Sequence, residues 1–266
     1  MTDNPQPTMT VNVDVTNPGQ FFASCGLLEL ADRLWPGAEG WFAVGDRDFL
    51  ISGNGTLDAL VEAIASAELT HTRPSDPYSS PLMIGAPFAP LSIDWWETDL
   101  TGARDLKVWA GTMESFGIAQ AMQHAMKDER FHGSDLFDIG MVVTTLHDAG
   151  KKKEPYYFDA RRTSNAHSRD VGFSPNDLGL TSIAHPAVEL LCLIGLQAAR
   201  PALTAASRVY DYFTWHVPLL SNLLLAASTG SLDLADARAY RFENWFRTGQ
   251  KKHKAFRSAI PLTQGT

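Results

Sequence analysis

The chain has 266 residues, 44% of them hydrophobic and 20% charged, which excludes an intrinsically disordered polymer and gives enough material for a real core. The formal net charge is −8, but it is uneven: Arg238 to Arg257 carries +6 and residues 1–237 carry −14. An acidic body excludes polyanion binding over the whole surface and leaves two basic spots, Lys151 to Arg169 and Arg238 to Arg257, as places that can meet a nucleic acid or a nucleoprotein.

Val11, Val13 and Val15 alternate with Asn12 and Asp14, predicting a half-buried strand. Asn17-Pro18 supplies a helix cap followed by proline at the first helical position. Apolar residues then recur at helical spacing from Phe21 to Trp35, until Pro36-Gly37 stops the run. Two short strands follow, Trp41 to Val44 and Phe49 to Ser52, and Thr56 caps a helix carrying Leu57, Leu60, Val61 and Ile64. Thr70 to Pro90 holds five prolines and no periodicity, which marks either a functional loop or elements the pattern hides. Leu91, Ile93 and Trp95 alternate as one more strand. The order β-α-β-β-α-β predicts an α+β, ferredoxin-like (split βαβ) part over residues 1–100.

Residues 101–266 read as a mixed β-hairpin and helical part, with a boundary near residue 100. Met113, Phe116, Ala119, Met122 and Met126 mark a helix. Asp138 to His147 and Glu154 to Arg161 read as two strands of a hairpin whose tip holds Lys151, Lys152 and Lys153. Arg162 to Ser182 is loop-like. Pro186 to Ala199 and Pro218 to Ser228 are apolar nearly all round and read as buried helices. Tyr210 to Trp215 and Tyr240 to Arg247 read as strands.

No apolar run reaches the roughly 18 to 20 residues of a membrane span, and Met1 to Thr10 lacks the pattern of a secretory signal. With two lone cysteines, Cys25 and Cys192, the expectation is a cytoplasmic protein without a structural metal.

Candidate chemistry is sparse. His147-Asp148 suggests an HD-type metal nuclease, but His124, His132, His167 and His185 lack the spacing of the other ligands. His167 beside Arg169 suggests His-dependent RNA cleavage, with nothing in the sequence to orient the imidazole. Ser52 to Thr56 is a glycine-rich turn without the lysine of a phosphate loop. Neither a catalytic set nor a cofactor is therefore expected.

The basic spots carry the stronger signal. Arg161, Arg162, Asn165, His167 and Arg169 are side chains that grip phosphates and read base edges, next to Lys151, Lys152 and Lys153. Lys251, Lys252 and Lys254 interleave with Tyr240, Phe242, Trp245, Phe246 and Phe256, a pattern that suits stacking plus phosphate contact and equally an amphipathic element with an inward aromatic face.

Asn17-Pro18-Gly19-Gln20-Phe21-Phe22-Ala23-Ser24-Cys25-Gly26-Leu27-Leu28-Glu29-Leu30-Ala31 resembles the opening of the compact large-subunit-like proteins of type I-U (also called I-G) CRISPR effector complexes. Phe158 to Arg162, Asp170 to Asn176 and Ala259 to Gln264 are similar to that group too. The resemblance implies a non-catalytic subunit of the Cascade surveillance ribonucleoprotein. Such a subunit sits near one end of the guide RNA, recognises the motif beside the target, helps open double-stranded DNA and receives a helicase–nuclease. Its implied partners are guide RNA, other Cascade subunits, target DNA and that helicase–nuclease, with no membrane.

Overall fold

Asn17 turns the start of the chain into a helix through one local bond. Its side-chain oxygen accepts the Gly19 N–H at 3.1 Å, and Pro18 occupies the first turn where no donor is required. In the computed structural model, which describes residues 5–97, 105–106, 114–146, 148–165, 183–246 and 253–263, the first elements are β1 (Met9–Asn12) and α1 (Pro18–Leu34). Every residue of α1 from Pro18 to Ala31 is buried, so the helix is enclosed rather than laid on a surface. β2 (Glu39–Phe42) and β3 (Asp48–Ser52) follow, then α2 (Leu57–Ser66), capped by Thr56, whose hydroxyl accepts the Ala59 N–H.

β3 lies between β1 and β2 and is antiparallel to both. That much agrees with the expected order, but the next strand departs from it. β4 (Leu69–His71), β5 (Leu82–Ile84) and β6 (Leu91–Ile93) form a separate three-stranded antiparallel sheet. The strand expected to complete a ferredoxin-like sheet therefore pairs with β5, and the complete sheet is not formed among the described residues. The proline-rich stretch holds two strands instead of a bare loop. Each is three residues long, too short to show a period of two.

α3 (Ser115–Ala125) occupies the predicted helix. β7 (Thr144–Thr145) and β8 (Asp148–Lys152) make a hairpin that turns before the lysines, so Lys151 and Lys152 lie on a strand and not at a tip. Glu154 to Phe158 is not a strand either. Tyr156, Tyr157 and Phe158 are buried, and their backbone is held from outside any ladder: Phe158 N–H donates to the Glu189 carboxylate, and Tyr157 O accepts from Phe256 N–H.

α4 (Pro186–Ala198) is buried from Pro186 to Leu196, as expected. β9 (Ala202–Leu203) and β10 (Val209–Phe213) come next, then β11 (Leu219–Leu220), a single 3-10 turn and α5 (Leu224–Ser228). The long buried helix expected over Pro218 to Ser228 is thus replaced by a strand and two short turns of helix. Leu219 opposite Gly40 places β11 on the free edge of β2, and Leu220, Leu223 and Leu225 stay exposed. β12 (Ala239–Phe246), β13 (His253–Phe256) and β14 (Ile260–Pro261) complete the second large sheet, in which β12 pairs with β10, β13 and β14. Among the described residues no helix is long and apolar enough to cross a membrane.

Phe21 and Phe22 of α1 pack on Phe42, Tyr212, Trp215 and Phe242, which ties the first sheet to the second through one aromatic cluster. Each fully buried ring contributes about 1.5 to 3 kcal/mol of hydrophobic stabilisation. α1 and α4 cross with backbones in contact at Gly26 and Gly195. A Cβ on Gly26 would collide with the Leu191 carbonyl oxygen, and one on Gly195 with that of Phe22. Gly26→Ala or Gly195→Ala is expected to lower stability by about 3 kcal/mol, read as an earlier urea midpoint with unchanged slope.

Candidate nucleic-acid interface

Lys151 and Lys152 are exposed on β8. Lys153 is half-buried, with its ammonium over Gly117 of α3, and burial lowers its pKa against the pull of Glu114 and with the push of Lys151. The hairpin is set by Asp148, whose carboxylate accepts the Gly150 N–H at 2.9 Å while its carbonyl accepts the Thr145 hydroxyl at 3.0 Å. His147, the other half of the suspected metal dyad, lies outside the described residues. Among the described residues no three His, Cys, Asp or Glu side chains gather as a metal cage.

Beside β8 the chain enters a buried polar knot. Asp159 has no exposed surface, and its carboxylate accepts from Asn17 Nδ2 at 2.9 Å and from Arg161 Nε and Nη2 at 3.0 and 2.7 Å. Asn17 also accepts the Ala160 N–H at 3.0 Å, so one amide caps α1 and anchors the segment at Asp159, 142 positions away in sequence. Glu189, in the first turn of α4, accepts the N–H groups of Phe158 and Asp159, both at 3.2 Å. His185 Nδ1 stands 3.3 Å from Asp159.

Burial, then the Asp159 charge, pushes the Glu189 pKa up to about 8. Asp159 stays ionised, its pKa lowered against burial by the Arg161 guanidinium. Burial also lowers His185, against the pull of Asp159.

This geometry gives Arg161 partners within the chain. Nε and Nη2 hold Asp159, Nη1 holds Asp138 at 2.6 Å, and Nη2 also donates to the Phe137 carbonyl at 2.6 Å. Four of its five N–H groups are therefore engaged inside the protein. Arg162 is half-buried, and its Nε has no hydrogen-bond partner among the described residues. Asn165 ends the 3-10 helix Ala160–Asn165. His167 and Arg169 lie outside the described residues.

At the carboxyl end, Lys251 and Lys252 also lie outside the described residues, and Lys254 falls within β13. The described arginines there have acidic partners. Arg241 holds Asp211 through two bonds at 2.7 and 2.8 Å, Arg257 holds Glu243 at 3.0 Å and sits 4.9 Å from the Trp245 ring centre, and Arg238 holds Asp46 at 3.1 Å. Tyr240, Phe242 and Phe256 are buried, which is the inward aromatic face of an amphipathic sheet. His253 is buried between Asn244 and the Tyr156 carbonyl, and burial pushes it down to about 4. A hollow of about 420 Å³ is lined by Asp14, Asp48 and Asp138 against the single Arg47.

Of the basic residues singled out in the sequence, Lys151 and Lys152 are the ones exposed on a described strand. Sequence reasoning missed Asn17, Asp159 and Asp46 as partners of the basic residues. Glu189 was visible as the one charge in an apolar helix, a position where burial demands a partner. No protein-family profile, curated protein or solved structure matches this chain.

Arg161→Ala strands a buried carboxylate and is expected to lower stability by about 3 kcal/mol in urea unfolding. A loss of nucleic-acid affinity without loss of stability would reverse that assignment.

The two buried titrations act in opposite senses. Glu189, raised from 4.5 to about 8, binds its proton more tightly in the folded state, so its contribution is complete below pH 4.5 and is lost as pH rises through 8. His253, lowered from 6.5 to about 4, contributes fully above pH 6.5 and loses its contribution as pH falls to 4. Wild-type stability minus that of Glu189→Gln should fall between pH 4.5 and 8 by up to about 1.4 kcal/mol per pH unit. A flat difference across that window would place the proton elsewhere.

Proposed function

We propose that the chain is a non-catalytic subunit of a CRISPR DNA-surveillance ribonucleoprotein in the cytoplasm. It recognises the motif beside the target, aids duplex opening and receives the helicase–nuclease. The observation that carries this reading is a convergence. Three of the segments that resemble the type I-U large-subunit-like proteins meet at the start of α1: Asn17 holds Asp159 and Ala160, and the Ala259 N–H donates to the Thr16 carbonyl at 2.7 Å. Segments far apart in sequence make one structural unit, which supports treating the resemblance as a single feature. The β1-α1-β2-β3 unit further supports a ferredoxin-like module that hands its last strand position to another sheet.

Within this reading Lys151 and Lys152 hold the nucleic-acid backbone without regard to sequence, because an ammonium on a phosphate carries no base information. Motif reading falls to groups beyond Arg161, and Arg162, Asn165, His167 and Arg169 remain the candidates in the mid-chain loop. Lys251, Lys252 and Lys254 serve guide-RNA contact or assembly. The −14 body fits a subunit whose neighbours supply most of the positive charge.

Purification from native cells should bring down a guide RNA and backbone subunits with this chain. Replacing Lys151 and Lys152 with Ala should lower the salt slope of DNA binding by the assembled complex by roughly 2 units while leaving motif preference in shape. Recovery of the chain without RNA, or metal-dependent DNA cleavage lost in His147→Ala or Asp148→Ala, would replace this reading by a nuclease.

A further inference from the structure

His253 opens β13 and is buried, with 3% of its surface exposed. The rings of Trp95, Phe158 and Phe256 stand around it, their centres 5.4, 5.2 and 5.3 Å from its own. Both ring nitrogens lie at hydrogen-bond distance from an oxygen: Nδ1 is 2.7 Å from Asn244 Oδ1, and Nε2 is 2.9 Å from the Tyr156 carbonyl. Asn244, on β12, has no exposed surface, and its Nδ2 is buried without a hydrogen-bond partner among the described residues.

These contacts do not fit a neutral ring. A neutral imidazole carries one N–H, so with two oxygens facing it one contact sets lone pair against lone pair. The amide meanwhile leaves a buried donor idle, which is rarer in folded proteins than an idle acceptor. A half-turn of the Asn244 amide exchanges its oxygen and nitrogen almost in place and removes both faults. Nδ2 then donates to His253 Nδ1, and His253 Nε2–H donates to the Tyr156 carbonyl. The first orientation fits the imidazolium, which has two N–H groups for two oxygens. The pair thus has two complete hydrogen-bond patterns that differ by one proton and one half-turn.

Burial selects between them at neutral pH. It pushes the ring down to about 4, and the Tyr156 carbonyl pulls the other way. The titratable side chains on the segments packed against the ring are engaged elsewhere. The Tyr156 phenol donates to the Ser115 carbonyl, Glu154 accepts from the Tyr157 hydroxyl, Glu189 accepts the Phe158 N–H, and Arg257 holds Glu243.

We propose that Asn244 and His253 form a proton-operated clasp between β13 and the Tyr156–Phe158 run: the amide donates to the neutral ring, and turns over to accept when the ring takes a proton. A second bond, from the Phe256 N–H to the Tyr157 carbonyl at 3.0 Å, fastens the same two segments. The clasp joins the carboxyl-terminal sheet to the segment that holds Asp159, and it does not rest on the CRISPR reading.

The test is nitrogen NMR on the full chain, labelled in its histidine rings and asparagine amides. At neutral pH His253 should carry its proton on Nε2 and leave Nδ1 bare. Acid should protonate Nδ1 with a midpoint near pH 4 and move the Asn244 amide signals with that same midpoint. Asn244→Asp sets an oxygen opposite Nδ1 in either orientation and should raise the midpoint by roughly 2 units or more. A proton on Nδ1 alone at neutral pH, a doubly protonated ring there, Asn244 signals that stay still through the titration, or an unmoved midpoint in Asn244→Asp would overturn the proposal. Should acid or the substitution unfold the chain first, the wild-type tautomer at neutral pH decides alone: Nε2–H supports the clasp, and any other state sinks it.

Discussion

A carboxylate without solvent is tolerable only where donors replace every lost water, and Asp159 meets that condition with groups from separate parts of the chain. Asn17 reaches it from the cap of α1, and Arg161 from the segment that follows it. Arg161 carries the charge outward to Asp138 and the Phe137 carbonyl. Behind Asp159, Glu189 takes its backbone N–H and that of Phe158 from the first turn of α4. α1 and α4 can cross at the Gly26–Gly195 contact because their amino ends are tied to the same short segment. The aromatic cluster between the two larger sheets depends on that crossing.

The same logic recurs at Asp46, which accepts from His216, Arg238 and the Tyr240 hydroxyl, and the two knots divide the arginines from the lysines. Arg161, Arg238, Arg241 and Arg257 each hold at least one carboxylate of the acidic body. A guanidinium fork matches a carboxylate in geometry, so arginine serves as the internal connector here. The exposed surface pairs, such as Arg257 with Glu243, add little stability by themselves. Those that reach Asp159 and Asp46 matter more, because removing either partner leaves a charge without water.

Much of the local structure was legible in the residues. Asn17-Pro18 and Pro36-Gly37 bracket α1 through cap chemistry that needs no tertiary partner, and Thr56 does the same for α2. β10 and β12 showed their alternation because they are five and eight residues long. β4, β5 and β11 did not, since two or three residues hold no period and their pairing is decided by distant strands. The lysine hairpin was misplaced because the turn closes early, Thr145 pairing with Asp148 and donating its hydroxyl to the Asp148 carbonyl, while the aromatic run after it satisfies its backbone on Glu189. The candidate site was legible as composition, not as geometry. The partners of Arg161 were not legible, because its carboxylates lie 2 and 23 positions away and carry no mark of contact in the sequence. The Asp46–His216 pair spans 170 positions and left no local signal at all.

Charge decides how such a body meets a polyanion. Residues 1–237 carry −14, so at long range the chain repels phosphate. At physiological salt that repulsion decays over about 8 Å, and a charge farther away than this is largely screened. Lys151 and Lys152 stand on a small hairpin exposed to solvent, where nearby cations outweigh distant acids. On the proposed reading, two lysines within a Debye length would give a contact that is weak alone, salt-sensitive and indifferent to sequence. In this fold the carboxylates that contribute to the long-range field are also groups that hold side chains in place, as Asp159 does for Asn17 and Arg161 and Asp46 for His216.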